Sequence, residues 1–325
     1  MALAAVQQKV EALDRRMRGV VIGGVRILVG LMWLANLHWK VPTKFGQDTG
    51  GGLYKYSFSV TRNSTFAPFT WVTEHVVLPH FQLFGWFTLL VETSLAALLL
   101  IGYRTKIVAL LGASMSIPIF LSVLYYDRSD EWSWSYLLMF GANVMLYAAD
   151  AGKFGGLDGV LSRASSASRS RALVCLGAVG AVVGSVGLWV ARSQDFAGRK
   201  VALLGSDAGF KAANGQITRR WELKLLFFNP LWALLTIALG VALMVGAKQV
   251  RGAWVGAAGF AGLAVMAMVL KTMNYQRDDG TSQVISAAPN VAFWGALALG
   301  AAVLAMTPHP SRSNTEAPAT NFATG

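Results

Sequence analysis

The chain has a single cysteine, Cys175, and it sits inside an apolar run. One thiol excludes an intrachain disulfide, a CxxC redox pair and a cysteine-ligated iron–sulfur cluster. A small buried hydrophobe is its expected role. Charge is also scarce, at 14% of 325 residues, where a soluble domain carries about a quarter. Acidic residues are the scarcer sign, 16 against 28 Lys and Arg. No GxGxxG follows a strand pattern and no P-loop occurs; "GGLDG" and "GGG" read as turns or helix ends. The N-terminal "MALAAVQQKVEALDRRMR" is polar and reads as helical, without the small-residue cleavage site of a signal peptide. The basic surplus, +12 in formal charge, is spread between apolar runs. That pattern points to charge flanking membrane spans and not to a nucleic-acid partner.

Hydrophobic residues make up 54% of the chain, and the expected fold class is an all-α integral membrane protein. A span needs about 20 apolar residues. Eight runs qualify, at about 19–38, 80–102, 106–126, 133–150, 172–191, 229–247, 252–272 and 290–307. Short connections on one side carry the basic residues: Arg15, Arg16 and Arg18, then Arg104 and Lys106, then Lys153, Arg163, Arg169 and Arg171, then Lys248 and Arg251. Positive charge stays inside, so both termini are expected in the cytoplasm, N-in/C-in, in a multi-pass plasma-membrane protein. Trp39, Trp71, Trp86, Trp132, Trp134, Trp189, Trp232 and Trp294 would form the outer aromatic belt.

The spacing of spans one to four recurs in five to eight. "LLLIGYRTKIVALLGA" and "LMVGAKQVRGAWVGAA" match as apolar run, Gly, polar or basic residues and Ala/Gly-rich run. Both halves start on the same side, which makes the repeat parallel. The expected organisation is a cytoplasmic segment 1–18, a four-helix bundle 19–161, a linker 162–171, a second and degenerate bundle 172–307, and a disordered tail 308–325.

Two ionisable residues lie inside the first half's spans: Arg26 and Glu92. Each costs at least about 2.5 kcal/mol at the bilayer centre. Counting rise per residue places them about 10 and 15 Å from the inner ends of their spans, within reach of a long arginine. Two readings of such a pair stand: a proton-handling or ligand-anchoring acid held by an arginine, and a plain ion pair that fixes bundle register. Asn143 in span four is a third member, or a bond between helices. Counted from Gly246, the second half carries Thr236 where the first has Glu92. The chemistry is therefore expected in residues 19–150.

A second cluster gathers at the outer mouth, from "NLHWKVPTKFG", "TEHVVLPH" and "EWSWSY". It contains His38, Trp39, Lys40, Lys44, His75, His80, Trp132, Trp134 and Tyr136. The histidines are irregularly spaced, so neither haem nor another metal is expected. The plain reading is an aromatic belt. The sharper one is an entrance for an anion or a quinone headgroup, with lysines attracting charge and tryptophans stacking on a ring.

"VRILVGLMWLANLHWKVPTKFG", "VETSLAALLLIGYRTKIVALLGA" and "WSWSYLLMFGANVMLYAADAGKFGGLDGVL" together resemble the DoxX/DoxD family, over about residues 20–161. Named members of that family include the membrane subunit of thiosulfate:quinone oxidoreductase. The resemblance implies a quinone-linked oxidoreductase subunit, carrying electrons from thiosulfate to quinone as acceptor. Arg26 and Glu92 would be its catalytic groups. Asn143, His38, Trp39, Lys40, Lys44, Trp132, Trp134 and Tyr136 would be its quinone or substrate contacts. The expected surroundings are membrane lipid, quinone, and a partner subunit or soluble redox protein. Two alternatives remain: a non-catalytic membrane scaffold for soluble redox or stress proteins, and a small-solute or lipid transporter.

Overall fold

A computed structural model describes residues 2–63, 66–124, 134–163, 165–204, 210–211, 217–218, 224–277 and 280–307. Seven of its helices are long and apolar enough to cross a membrane, so the protein is a helical, multi-pass membrane protein. Helix α1 runs Ala2–Ala35, so the polar N-terminal segment and the first span form one continuous helix. α4 (Phe81–Ile101) and α5 (Thr105–Val123) form the tight pair expected from the sequence. α8 (Ser166–Ala191), α9 (Pro230–Val245), α10 (Val250–Leu270) and α11 (Ala288–Met306) complete the long helices.

The expected fourth span is α6, Trp134–Ala148. Residues 125–133, which precede it, lie outside the described residues. The segment read as a linker, 162–171, instead holds the last residues of a short helix α7 (Leu157–Arg163) and the first turns of α8. Ser165 caps α8 by accepting from the Ser168 N–H. The C-terminal tail lies outside the described residues.

The seven long helices and α6 pack as two rings of four. In the first, α1 contacts α4, α4 contacts α5, α5 contacts α6, and α6 returns to α1. In the second, α8 contacts α9, α9 contacts α10, α10 contacts α11, and α11 returns to α8. The seam between them is chiefly α11 against α4. Without a hydrophobic drive inside lipid, close backbone approach does the work of association. The α8–α9 contact shows it: a Cβ on Gly240 would stand 2.6 Å from the Gly177 carbonyl oxygen.

The connections are more structured than the sequence suggests. Residues 39–79 fold as a cap that includes α2 (Gly52–Arg62), α3 (Ala67–Val72) and a π-turn, Thr73–Val77. On the second bundle, β1 (Val201–Leu203) pairs antiparallel with β4 (Leu226–Phe228), and β5 (Thr272–Gln276) with β6 (Ser282–Ser286). Two further short strands, β2 (Phe210–Lys211) and β3 (Ile217–Thr218), also pair. Lys200, at the edge of this cap, lies over the Trp232 ring at 4.9 Å, and burial lowers its pKa.

Two sequence expectations need correction, and one motif gains a role. Trp232 and Trp294 are not belt residues, because each is buried in the second bundle. Cys175 is exposed on α8 and not buried. Its helix presents a second, outward face there, and an all-apolar span gives no periodicity by which to assign faces. At the end of the first bundle near Gly102, Asp158 does a job the "GLDG" motif hid. Its two carboxylate oxygens accept from the Arg104 and Thr105 N–H groups at 2.8 and 2.9 Å. These amides open α5 and have no partner within the helix.

Candidate functional site

Glu92 is fully buried on α4, and its partner is Lys40, not Arg26. The Lys40 ammonium lies 2.7 Å from Glu92 Oε2, with side-chain exposures of 2% and 0%. The turn that ends α1 makes this possible. The Lys40 N–H donates to the Leu37 carbonyl, folding the chain back across the helix end. The ammonium then donates to the Asn36 carbonyl at 2.8 Å and sits 4.0 Å from the centre of the Trp39 ring. A cation at a helix C-terminus is also favoured by the aligned peptide dipoles. The Asn36 amide reaches toward Glu92 Oε1 at 3.5 Å and accepts from the Trp39 indole N–H at 3.0 Å.

Arg26 turns the other way. Its guanidinium donates to the Leu99 carbonyl at 2.7 Å, the Leu100 carbonyl at 3.2 Å and the Gly155 carbonyl at 3.1 Å. It therefore caps the C-terminus of α4, two helical turns beyond Glu92. The expected Arg26–Glu92 pair fails for a geometric reason. The rise estimate made their depths compatible, but a residue's depth does not say which way a side chain extends. The guanidinium extends toward the orphaned carbonyls of the helix end.

The ion pair forms the polar end of a cavity of about 210 Å³. The end of α1 contributes Asn36, Trp39 and Lys40, and α4 contributes Phe84, Phe87, Thr88 and Glu92. Met115, Pro118 and Ile119 line it from α5, Tyr136 from α6, and Tyr56, Phe69 and Val77 from the cap. Pro118 has no N–H for the Ser114 carbonyl, so α5 lacks one ladder bond beside the cavity. Thr88 lies one turn from Glu92 on the same face of α4. Other helical hydroxyls in this bundle bond the carbonyl four residues back, as Thr93 does to Leu89, Ser116 to Gly112 and Ser122 to Pro118. Thr88 is 3% exposed, and among the described residues its hydroxyl has no hydrogen-bond partner.

Of the residues singled out in the sequence, the cavity brings together Glu92, Lys40, Trp39 and Tyr136. The others fall elsewhere. His38 contacts the second bundle: its ring is 6.3 Å from Phe227, and its carbonyl accepts from Ser286. Lys44 is exposed and pairs with Asp48 at 3.6 Å. Asn143 donates to the Met139 carbonyl, and its amide oxygen packs on Gly112 between α5 and α6. Trp134 is exposed, 6.5 Å from the Phe120 ring. Trp132 lies outside the described residues. His75 is exposed and stacks on Trp71.

Asn36, Thr88 and Tyr56 line the cavity without standing out in the sequence. Asn36 has a legible signal, an amide four residues before Lys40 at the end of an apolar run. Thr88 has one too, at helical spacing from Glu92. Tyr56 has none, because nothing in the sequence places α2 over the bundle.

Residues 54–184 match the family described as TQO small subunit DoxD. The match is consistent with a DoxX/DoxD relationship over this part of the chain. The DoxD match takes in α2 through most of α8, and so Glu92, Thr88 and Tyr136, while Lys40 and Arg26 precede it. No curated protein and no solved structure matches the chain. The family ties this segment to a membrane subunit related to thiosulfate:quinone oxidoreductase.

The second bundle is filled differently. Thr236 on α9 is fully buried; its hydroxyl donates to the Trp232 carbonyl and accepts from the Trp294 indole at 3.1 Å. Trp294 is packed against Trp232 at 5.0 Å and Phe228 at 6.3 Å. Aromatic rings and a satisfied hydroxyl fill the second bundle, whereas the first keeps an ion pair beside open space.

Proposed function

We propose that the protein is the quinone-binding membrane subunit of an oxidoreductase, with thiosulfate as the electron donor, and that the cavity over Glu92 receives the quinone ring. The observation that carries this reading is the buried Lys40–Glu92 pair at one end of an otherwise apolar, aromatic-lined cavity, beside an unpartnered Thr88 hydroxyl. Binding pockets of this kind combine apolar walls with a few fixed polar groups. A quinone fits the donor set: its carbonyl oxygens accept hydrogen bonds, and its ring presents faces to Trp39, Tyr56 and Tyr136.

Bound quinone supplies a two-electron, two-proton acceptor. The residues of this chain have separable tasks around it. Thr88 donates its hydroxyl hydrogen to a carbonyl oxygen. Trp39, held by Asn36, supplies a ring face. Glu92, paired with Lys40, would be the proton-carrying group: it would pass a proton to the neighbouring quinone oxygen and be reprotonated from the aqueous phase. Lys40 electrostatically stabilises the negative charge that builds at that oxygen. The aromatic cap keeps bulk water away from the ring. Thiosulfate oxidation, two ions joining with release of two electrons, is assigned to a partner subunit or soluble redox protein. The second bundle is read as a degenerate parallel copy that supports the first, with both termini in the cytoplasm.

The Thr88→Val variant of the purified full chain tests the pocket. Removing a buried hydroxyl that has no partner should leave the melting temperature unchanged or raise it, since such a group costs about 1–3 kcal/mol. The same change should weaken binding of a short-chain quinone, such as decylubiquinone, by about fivefold, the worth of one hydrogen bond of about 1 kcal/mol. Undiminished quinone affinity in a folded Thr88→Val protein would remove Thr88 from the site. Absence of quinone binding by the wild-type chain would reject the reading.

A further inference from the structure

The end of the molecule opposite the cavity's cap holds a second site, between the two bundles. A groove of about 380 Å³ runs there between α1, α4, α7 and α8. Arg26, Arg163 and Arg171 line it, with Ile27, Leu176 and Val179 among its apolar walls. Among the described residues, no carboxylate forms an ion pair with any of the three arginines. The nearest acid electrostatically is Asp158, and both of its oxygens are engaged by the opening amides of α5. Arg26 is 1% exposed, and among the described residues its Nε–H has no acceptor, although its other nitrogens donate to carbonyls. The groove thus presents three guanidiniums, one with a donor unused, and no paired carboxylate among the described residues.

We infer that this groove binds the phosphate headgroup of an anionic phospholipid, with an acyl chain laid along α8. The phosphate would accept from Arg26 Nε and from Arg163 and Arg171, each of which carries a bidentate donor fork suited to phosphate oxygens. The chain then follows the apolar wall from Ala172 to Val179, two helical turns or about 10 Å. Basic pockets between membrane helices suit anionic headgroups because the lipid surface supplies both the charge and the apolar tail. A protein partner would not need that wall, and a free anion would not use it. The inference does not depend on quinone binding, since it uses none of the cavity residues.

The test uses the delipidated full-length protein in detergent, with bound lipid counted by native mass spectrometry. The probes are dioleoyl phosphatidylglycerol, dioleoyl phosphatidylcholine and inorganic phosphate. Phosphatidylglycerol should bind in clear preference to phosphatidylcholine. The R163Q/R171Q variant should lose about fivefold in phosphatidylglycerol affinity for each arginine removed. Both side chains are exposed, so the variant should keep its melting temperature; Arg26 is left intact because it also caps α4. Equal retention of the two lipids, or unchanged affinity in the double variant, would overturn the inference. So would displacement of the lipid by millimolar inorganic phosphate, which would make the site one for a soluble anion.

Discussion

Lys40→Ala should destabilise the protein by about 3–5 kcal/mol, one of the two largest single-site effects expected in the molecule. The reason is the fate of Glu92. With side-chain exposures of 2% and 0% and a separation of 2.7 Å, neither charge has water to fall back on. Removing one partner of a buried pair leaves the other uncompensated, at about that cost. Lys40→Ala also deletes the ammonium that caps α1 at the Asn36 carbonyl. Glu92→Ala should cost a similar amount by stranding the ammonium. Lys40→Met combined with Glu92→Met should lose far less than the two single changes together, because both charges leave at once and apolar volume remains. Chemical unfolding of the wild type, Lys40→Met, Glu92→Met and the double-methionine variant in one detergent gives the cycle, with a coupling of about 2 kcal/mol or more expected between residues in direct contact. Additive losses would show that Lys40 and Glu92 are not partners. A stable double-methionine protein that no longer binds quinone would show that the pair serves function more than stability.

Gly102→Ala carries the second large effect, about 3 kcal/mol or more. Gly102 ends α4 in the left-handed region, at φ 65°, where its N–H closes the helix on Leu98 and Leu99. A side chain there costs about 1 kcal/mol by conformation alone. The added Cβ would also collide with the Arg26 guanidinium and stand 2.7 Å from the Gly156 Cα. Arg26 would have to release the Leu99 and Leu100 carbonyls, and a hydrogen bond from a charged donor is worth about 1.5–3 kcal/mol. Gly50 is the control. It has the same φ of 65°, and a Cβ added to it would meet nothing within 4 Å, so Gly50→Ala should cost only about 1 kcal/mol. Equal melting temperatures for the two variants would refute the close packing at the α4 terminus.

The helices are legible in the sequence because their length and apolarity are written residue by residue. α4, α5, α9, α10 and α11 begin and end within about three residues of the runs read from the sequence. The membrane location of Glu92 is legible for the same reason: an acid in a long apolar run stands out. Its partner is not. Arg26 and Lys40 lie on either side of the Glu92 depth, and choosing between them requires the direction of two long side chains. The backbone turn at Leu37–Lys40 decides it, and that turn is a tertiary fact. Asn143 has the composition of a site residue, yet it lies outside the cavity and its amide NH2 donates to Met139 on its own helix. The cap over the cavity reads as loop because α2 and α3 are short and α2 is only weakly apolar overall. Residue type alone assigns Trp232 and Trp294 to an interface, whereas the second bundle uses them to fill the space that the first leaves open.

The most direct test of the quinone cavity is photoaffinity labelling of the full-length protein in membranes with an azidoquinone, mapped by peptide sequencing and competed with unlabelled quinone. A quinone seated over Glu92 predicts competed labels on the Phe84–Glu92 stretch of α4 and on Trp39, Tyr56 or Tyr136. Labels confined to the second bundle, or labels on the first that unlabelled quinone does not displace, would contradict it.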